Sequence, residues 1–375
     1  MKKILIFADA YIPGFKGGGP VVSISNLVAL IEDEYEILVC TRNHDFGEKT
    51  PYENIVSDAV THVNKHKVLY LSSYGGLAFW RAMRSFKPDF IYLNSFFSRT
   101  TRIVLFLNIF LWRKPLLVSP RGELLHNSLG IKKRKKNLYL SLFKTAQLHK
   151  NLIFHSTDSI ETGSLANIFS IDKSEIREIP NVSRRYVSTA ITKEKSELKV
   201  VFISRICTKK NLHFALNVLG NTTQIITFDI YGPLEDQNYW TKCREIIKNL
   251  PSNITVNYNG SLQGNNVTET MRQYHVFLFP TLSENYGHVI VEAMQAGLVP
   301  IISDQTPWVN LQEKNAGWDI NLDNHKEYGV VLDALFHMDP PRFSELSQSV
   351  INYINSHLNS CDLKSEYIKF FKTIG

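Results

Sequence analysis

Residues 276–304 read VFLFPTLSENYGHVIVEAMQAGLVPIISD. The opening apolar run, closed by Pro280, has the length and composition of a buried strand. A polar loop follows over 281–286. Gly287 then leads into a helical pattern over 289–296, which Gly297 stops. A second apolar run, 298–302, reads as the next strand. Strand, loop, helix, strand is the unit from which parallel sheets are built. Two carboxylates sit in it. Glu284 lies in the loop at the carboxyl end of the first strand, where open parallel sheets bind ligands. Glu292 lies eight positions on, in the helix. Both reach one crevice if the loop folds back over the helix N-terminus, and that terminus also favours an anion.

The same alternation extends in both directions. In the second half, strands are expected at 199–203, 225–231 and 254–258, with helices at 212–219, 239–249 and 267–274. In the first half, strands are expected at 3–8, 36–40, 68–71, 90–93, 116–119 and 152–155, with a short last one at 177–179. Helical patterns lie between several of them, at 21–31, 77–86, 101–112, 132–147 and 158–169. This predicts an α/β protein with two Rossmann-like, doubly wound parallel sheets. From 182 to 197 the sequence turns polar and loses its periodicity, which suits a linker. The expected organisation is therefore 1–182 as first domain, 183–197 as linker, 198–355 as second domain and 356–375 as a helix returning to the first. From 341 onward Phe343, Leu346, Val350, Ile351 and Ile354 fall on one helical face. Tyr367, Phe370 and Phe371 mark a second short helix.

The chain has 375 residues, 44% hydrophobic and 21% charged, as expected of an ordinary soluble protein large enough for two cores. Its net charge of +7 favours an anionic partner: nucleic acid, anionic lipid or the phosphates of a nucleotide sugar. Cys40, Cys207, Cys243 and Cys361 are scattered without metal spacing, which suits a reduced, intracellular compartment. The N-terminus MKKILIFADAYIPG reads as a first strand rather than a signal peptide, because Asp9 and Pro13 break the apolar run. The run 103–112 is too short to span a bilayer. A cytoplasmic protein is expected, with peripheral attachment to the inner face of the cytoplasmic membrane as an option.

Several strand ends carry chemistry. After the first strand come Gly14, Gly17, Gly18, Gly19 and Pro20. Glycines there let the backbone approach a ligand or simply make a tight turn. The pattern is not GxGxxG and no acidic residue ends the next strand, so a dehydrogenase is disfavoured. After 199–203 comes SRICTKKN, 204–211, in which Arg205 and a following lysine can converge on a diphosphate. Its plain alternative is a solvated basic turn. After 116–119 comes PRGE, with Arg121 and Glu123 either facing a ligand or forming a loop ion pair, and His126 nearby. Lys132, Lys133, Arg134, Lys135 and Lys136 precede Leu138, Leu142 and Phe143. Such a cluster leads into either a solvated helix face or one that lies on anionic lipid. No nucleic-acid-binding motif accompanies it.

Taken together, these residues resemble a known family. The stretch from Glu284 to Glu292 looks like the E-x7-E motif of the retaining glycosyltransferases of family 4. FISRICTKKN resembles that family's Arg/Lys diphosphate motif, and IPN (179–181), YGP (231–233) and TPW (306–308) are similar too. The resemblance implies the GT-B fold: two Rossmann-like domains facing across a cleft, with the C-terminal helix crossing back. It implies that Arg205 and Lys210 bind the donor diphosphate, that Glu284 contacts the transferred sugar, and that Glu292 holds the ribose. Asn285, Tyr286, Gly287 and His288 would touch sugar and phosphate through the main chain. Gly18 and Gly19 would close over the diphosphate. Asn94 and Arg121 stand where many relatives carry a histidine, and with Glu123 they mark the acceptor side. The implied catalysis rests on Glu284, Arg205 and Lys210, with no metal, no cofactor and no protein nucleophile. A saccharide acceptor, lipid-linked and destined for O-antigen or capsule, is expected, with no role for nucleic acid. A nucleotide-sugar 2-epimerase and a catalytically silent nucleotide-sugar-binding protein remain the alternatives.

Overall fold

The computed structural model describes residues 1–125, 129–130, 133–262 and 266–374. His126 and Lys132 lie outside them. The chain divides into two units, Met1–Val182 with Asp362–Gly375, and Ser183–Cys361.

The first unit holds strands β1 (Lys3–Phe7), β2 (Glu36–Arg42), β3 (Val60–Val63), β4 (His66–Leu71), β5 (Phe90–Asn94), β6 (Leu116–Ser119), β7 (Ile153–Ser156) and β8 (Ile176–Glu178). They form one sheet in the order β3-β4-β2-β1-β5-β6-β7-β8. All neighbours run parallel except β3, which pairs antiparallel with β4. The second unit holds β9 (Lys199–Ile203), β10 (Ile226–Tyr231), β11 (Ile254–Tyr258), β12 (Val276–Phe279), β13 (Val299–Ser303) and β14 (Trp318–Ile320). These form a parallel sheet in the order β11-β10-β9-β12-β13-β14. In each sheet the strand order reverses beside one strand, β1 in the first and β9 in the second. Ligands of such sheets bind at that reversal, outside the carboxyl ends.

The central strands are buried on both faces, which is why they read as continuous apolar runs. All residues of β12 and β13 are buried. Two edge strands carry no such signal. The residues of β3 alternate between exposed and half-buried, and β14 is three residues long. The helix expected at 101–112 is in fact two pieces. Arg99–Leu107 is α-helical and Asn108–Trp112 is a wider π turn. The Asn108 side chain closes that turn, donating to the Lys114 carbonyl at 2.8 Å and accepting from the Lys114 amide at 3.0 Å.

The helix Pro340–Asn359 belongs to the second unit and buries Phe343, Val350, Ile351 and Ile354. The Leu363–Lys372 helix belongs to the first. Phe371 there packs against Tyr35, Phe90 and Tyr92, with ring centroids 5.8, 5.3 and 6.2 Å away. Burying a ring of that size is worth about 1.5–3 kcal/mol. Lys2 fixes the chain end by donating to the Ile374 carbonyl at 2.9 Å.

Candidate functional site

In the second unit the segment after β9 lies against the one after β10. The Ser204 amide donates to Tyr231 O at 2.9 Å and the Ile206 amide to Pro233 O at 2.9 Å. Gly232 permits this approach. Its φ is +142°, and a Cβ there would lie 1.7 Å from the Ser204 carbonyl oxygen. This is the physical content of the YGP stretch.

Beyond Cys207 the chain makes a single 3-10 turn, Thr208–Lys210, and Asn211 adopts a left-handed conformation. The Asn211 amide group donates to Pro280 O at 2.8 Å. The Leu282 amide and the Thr281 hydroxyl both donate to Lys209 O, at 2.9 and 3.1 Å. These bonds stitch the basic turn to the loop after β12 and bring Lys210 onto Glu284. The two form an ion pair, with both side chains mostly buried. The Lys210 ammonium also lies 5.3 Å above the Phe279 ring. Burial holds the Lys209 ammonium below its usual range, against the pull of Glu284. Arg205 is not part of this pair. It bonds Glu235, and both side chains are partly exposed.

The loop from Glu284 to Gly287 is held at several points. The Glu284 amide donates to Gln305 O at 2.9 Å, and the Trp308 indole donates to Tyr286 O at 2.6 Å. The hydroxyls of Tyr286 and Ser183 are 2.9 Å apart. Gly287, at φ +73°, turns the chain into the helix His288–Ala296, which starts without a side-chain cap. Its Ile290 amide turns back onto Gly287 O at 2.8 Å, and the positive end of the helix dipole lies at this turn. Glu292, half-buried on this helix, makes no hydrogen bond or ion pair with a described residue. Burial pushes its carboxyl up to about 7, although Arg184 pulls the other way.

The remaining predicted residues fall in the first unit. Gly18 adopts φ +65° and Gly19 opens the helix Gly19–Ile31, again without a side-chain cap. The glycine loop is fixed by the buried Asp45, whose carboxylate accepts from the amides of Phe15 and Lys16 at 2.9 and 3.2 Å. Gly14 leaves no room for a Cβ between Tyr52, Asp45 and Tyr11. No spacing in the sequence pointed to Asp45, some thirty positions away.

Arg121 and Glu123 do not pair with each other. Arg121 donates to Asn94 Oδ1 at 3.1 Å, to the Tyr92 hydroxyl at 2.9 Å and to Asn181 Oδ1. Asn181 is the last residue of IPN, so that stretch and PRGE are two halves of one contact. Glu123 accepts from the Ser95 hydroxyl and from the amides of Phe96 and Phe97, at 2.7, 2.7 and 3.0 Å. Asn94 also has a buried Nδ2 without a hydrogen-bond partner among the described residues. Among the described residues, no group of three or more His, Cys, Asp or Glu side chains is arranged to hold a metal ion.

Residues 187–335 match the family model described as glycosyl transferases, group 1. That segment contains Arg205, Lys210, Glu284 and Glu292. A 120-residue part of the chain is 29% identical to the GtfA subunit of a UDP-N-acetylglucosamine–peptide N-acetylglucosaminyltransferase from Streptococcus agalactiae, covering 31% of this chain. The chain spans about a fifth of that relative's length, 22%. Among solved structures, sucrose-phosphate synthase from Thermosynechococcus elongatus superposes with a TM-score of 0.72 at 14% identity, covering 100% of this chain and 99% of that one. HepE from Anabaena, in complex with UDP-glucose, gives 0.72 at 13% identity, with both chains covered in full. The fold is that of the GT-B glycosyltransferases.

Proposed function

We propose that the chain is a retaining, family 4 type glycosyltransferase that moves a sugar from a nucleoside diphosphate to a saccharide hydroxyl. The single observation that carries this reading is the Lys210–Glu284 pair, set at the strand-order reversal beside an uncapped helix N-terminus. In the reaction the bond from the anomeric carbon to the diphosphate oxygen breaks, and its electrons go to the phosphate. The acceptor oxygen attacks on the same face, and its proton goes to the departing phosphate. No protein nucleophile is needed.

Lys210, Arg205 and the amides at the start of the His288–Ala296 helix would stabilise the charge growing on the diphosphate. Glu284 would hold the sugar hydroxyls in a near-attack arrangement, and Glu292 the ribose. Asn285 to His288 would touch sugar and phosphate through main-chain groups, and Gly18 and Gly19 would bind diphosphate through theirs. On the acceptor side, Asn94, Arg121 and Glu123 act through the loops they fix after β5 and β6. The acceptor is a lipid-linked saccharide of a surface polysaccharide such as O-antigen or capsule, and neither metal nor cofactor takes part.

Arg205→Ala and Lys210→Ala are each expected to lower kcat/KM by roughly 10²-fold or more, as loss of one preorganised electrostatic stabiliser does. Turnover close to wild type in either variant overturns the assignment. Proton NMR of the first-formed product reports the anomeric configuration, and an inverted product refutes the retaining reading. Thermal shift with UDP-, GDP- and ADP-sugars identifies the donor base. A ligand at ~100 times its Kd adds about 2.7 kcal/mol of stability.

A further inference from the structure

The positive charge of this chain comes from one place. Residues 90–157 contain twelve Lys and Arg but a single acidic residue, Glu123. That stretch carries +11 while the whole chain carries +7, so the remainder is net acidic at −4. The stretch includes the two helical segments that follow β5 and β6, Arg99–Trp112 and Lys133–Thr145. Both belong to the first unit, where the second packs against Phe97, two residues ahead of the first, and the Arg102 guanidinium of the first acts on the Tyr139 hydroxyl of the second. The Lys136 ammonium sits 5.0 Å over the Phe97 ring, and the rings of Phe97 and Tyr139 are 5.8 Å apart.

Each segment is apolar on both sides. Inward, Val104, Leu105, Leu140 and Phe143 are buried in the core. Outward, Phe106, Phe110, Leu111, Leu138 and Leu142 are between 59% and 64% exposed. Phe106 and Phe110 are one turn apart, with ring centroids 4.7 Å from each other. Leu138 and Leu142 repeat that spacing on the second helix. A surface helix that needs only a core contact keeps its outer face polar. An outer face that is apolar and also strongly basic asks for a partner that is both greasy and anionic. Arg102, Arg113, Arg134 and Lys135 supply the charge around these side chains.

We propose that this face docks on an anionic lipid bilayer, with Phe106, Phe110, Leu111, Leu138 and Leu142 entering the interface and the basic side chains meeting the headgroups. The surface thus extends beyond the basic cluster to the Arg99–Trp112 segment, which holds no residue of that cluster. A nucleic acid would satisfy the charge but leave five large apolar side chains in water. A second copy of the same face would bring like charges together. No helix among the described residues is long and apolar enough to cross a membrane, so contact would be with the surface alone. Such docking deepens the lipid-linked acceptor reading, because it would hold the enzyme where that substrate lies.

The test is co-sedimentation of the full chain with phosphatidylcholine vesicles, with and without phosphatidylglycerol, at low and high salt. Wild type is expected to bind the anionic vesicles at low salt and to release at high salt. Replacing Phe106, Phe110 and Leu142 together by Ser is expected to weaken binding about 100-fold or more, since each large apolar side chain entering the membrane contributes about tenfold or better. Arg134→Glu with Lys135→Glu is expected to weaken it about 25-fold or more, at about fivefold per charge. All these side chains point outward, and unchanged thermal stabilisation by the nucleotide sugar verifies folding. That readout also keeps the two proposals apart, because vesicle binding needs no donor. The proposal is overturned if wild type stays in the supernatant at low salt, or if the Ser variant binds as well as wild type. It is equally overturned if RNA displaces the protein from vesicles and binds the Ser variant undiminished, or if the Ser change abolishes only self-association.

Discussion

Replacing Glu292 by Gln is expected to stabilise the second unit while damaging donor binding. Burial pushes the Glu292 carboxyl up from the ordinary 4.5 to about 7. Between those values the unfolded chain has lost this proton and the folded chain keeps it. The folded state then binds more protons, so stability falls as pH rises. The stabilisation from the raised value is complete below about 4.5 and lost once the pH has passed about 7. At 1.36 kcal/mol per unit the full swing is about 3 kcal/mol. Glu292 is half-buried, so water relieves part of it and roughly 1–3 kcal/mol is the realistic range.

Gln cannot ionise, so at pH 8 the Glu292→Gln protein escapes this penalty. For a domain of this size it should melt roughly 3–10 °C above wild type. At pH 5 the difference should have shrunk to about a quarter of that. The donor gives the opposite sign. An ionised Glu292 accepts hydrogen bonds from the ribose hydroxyls on the proposed reading, and bonds to a charged group are worth about 1.5–3 kcal/mol. Wild-type affinity should therefore rise up to about tenfold from pH 6 to pH 8, following the ionised fraction. The Gln variant should be weaker at pH 8 by roughly 10-fold or more and nearly flat with pH. Thermal melts from pH 5 to 8.5 and calorimetric titration with the nucleotide sugar measure both. A Gln variant that melts below wild type at pH 8, or a melting difference that does not change with pH, refutes the reasoning.

Gly232→Ala is expected to cost more than about 4 kcal/mol, because the Cβ would sit 1.7 Å from a backbone oxygen at a φ of +142°. A melting temperature like that of wild type would show that the two loops can separate. Trp308→Phe keeps the ring but removes the indole donor to Tyr286 O. It should raise KM for the donor several-fold with a smaller change in kcat, at a stability loss of about 1 kcal/mol. A kcat effect alone would mean that the Tyr286–Gly287 backbone does not bind the donor.

Much of this was legible in the sequence because the central strands are buried on both faces. The stretch 276–304 shows it best: the strand, the glycine turn and the helix stop all fall within a residue or two of where they were expected. What the sequence hid was the choice of partners. Arg205 and Lys210 read as one cationic pair, but the 3-10 turn and the left-handed Asn211 send Lys210 to Glu284 and leave Arg205 on Glu235. Arg121 and Glu123 are two residues apart, yet Arg121 sits at φ +53° and the two side chains take different partners, Arg121 reaching Tyr92, Asn94 and Asn181 and Glu123 the Ser95–Phe97 turn. Such choices depend on single backbone dihedrals, to which hydrophobic periodicity is blind. The edge strands were missed for other reasons, β3 being too exposed and β14 too short to leave a pattern.

The pairing of the cations bears on how so much positive charge is held on one turn. Arg205, Lys209 and Lys210 stand within six positions of one another, and both Arg205 and Lys210 push the Lys209 ammonium down. Three cations on one turn would repel each other and favour a neutral lysine. Glu284 and Glu235 offset this by occupying Lys210 and Arg205. On the proposed reading these carboxylates stand in for the diphosphate until it arrives. Lys210 has three donors and gives one of them to Glu284, so the others can turn to phosphate while the pair persists. Glu284 then stays oriented by Lys210 at the moment it must hold the sugar. The two glutamates therefore differ in kind. Glu284 is a carboxylate paired with a fixed cation, and Glu292 is one that burial pushes up to about 7. A general acid and base working on one bond would both have to face the reacting atoms. Here one glutamate is paired with Lys210 and the other lies on the second turn of the following helix, which on the proposed reading suits two clamps on opposite ends of one donor.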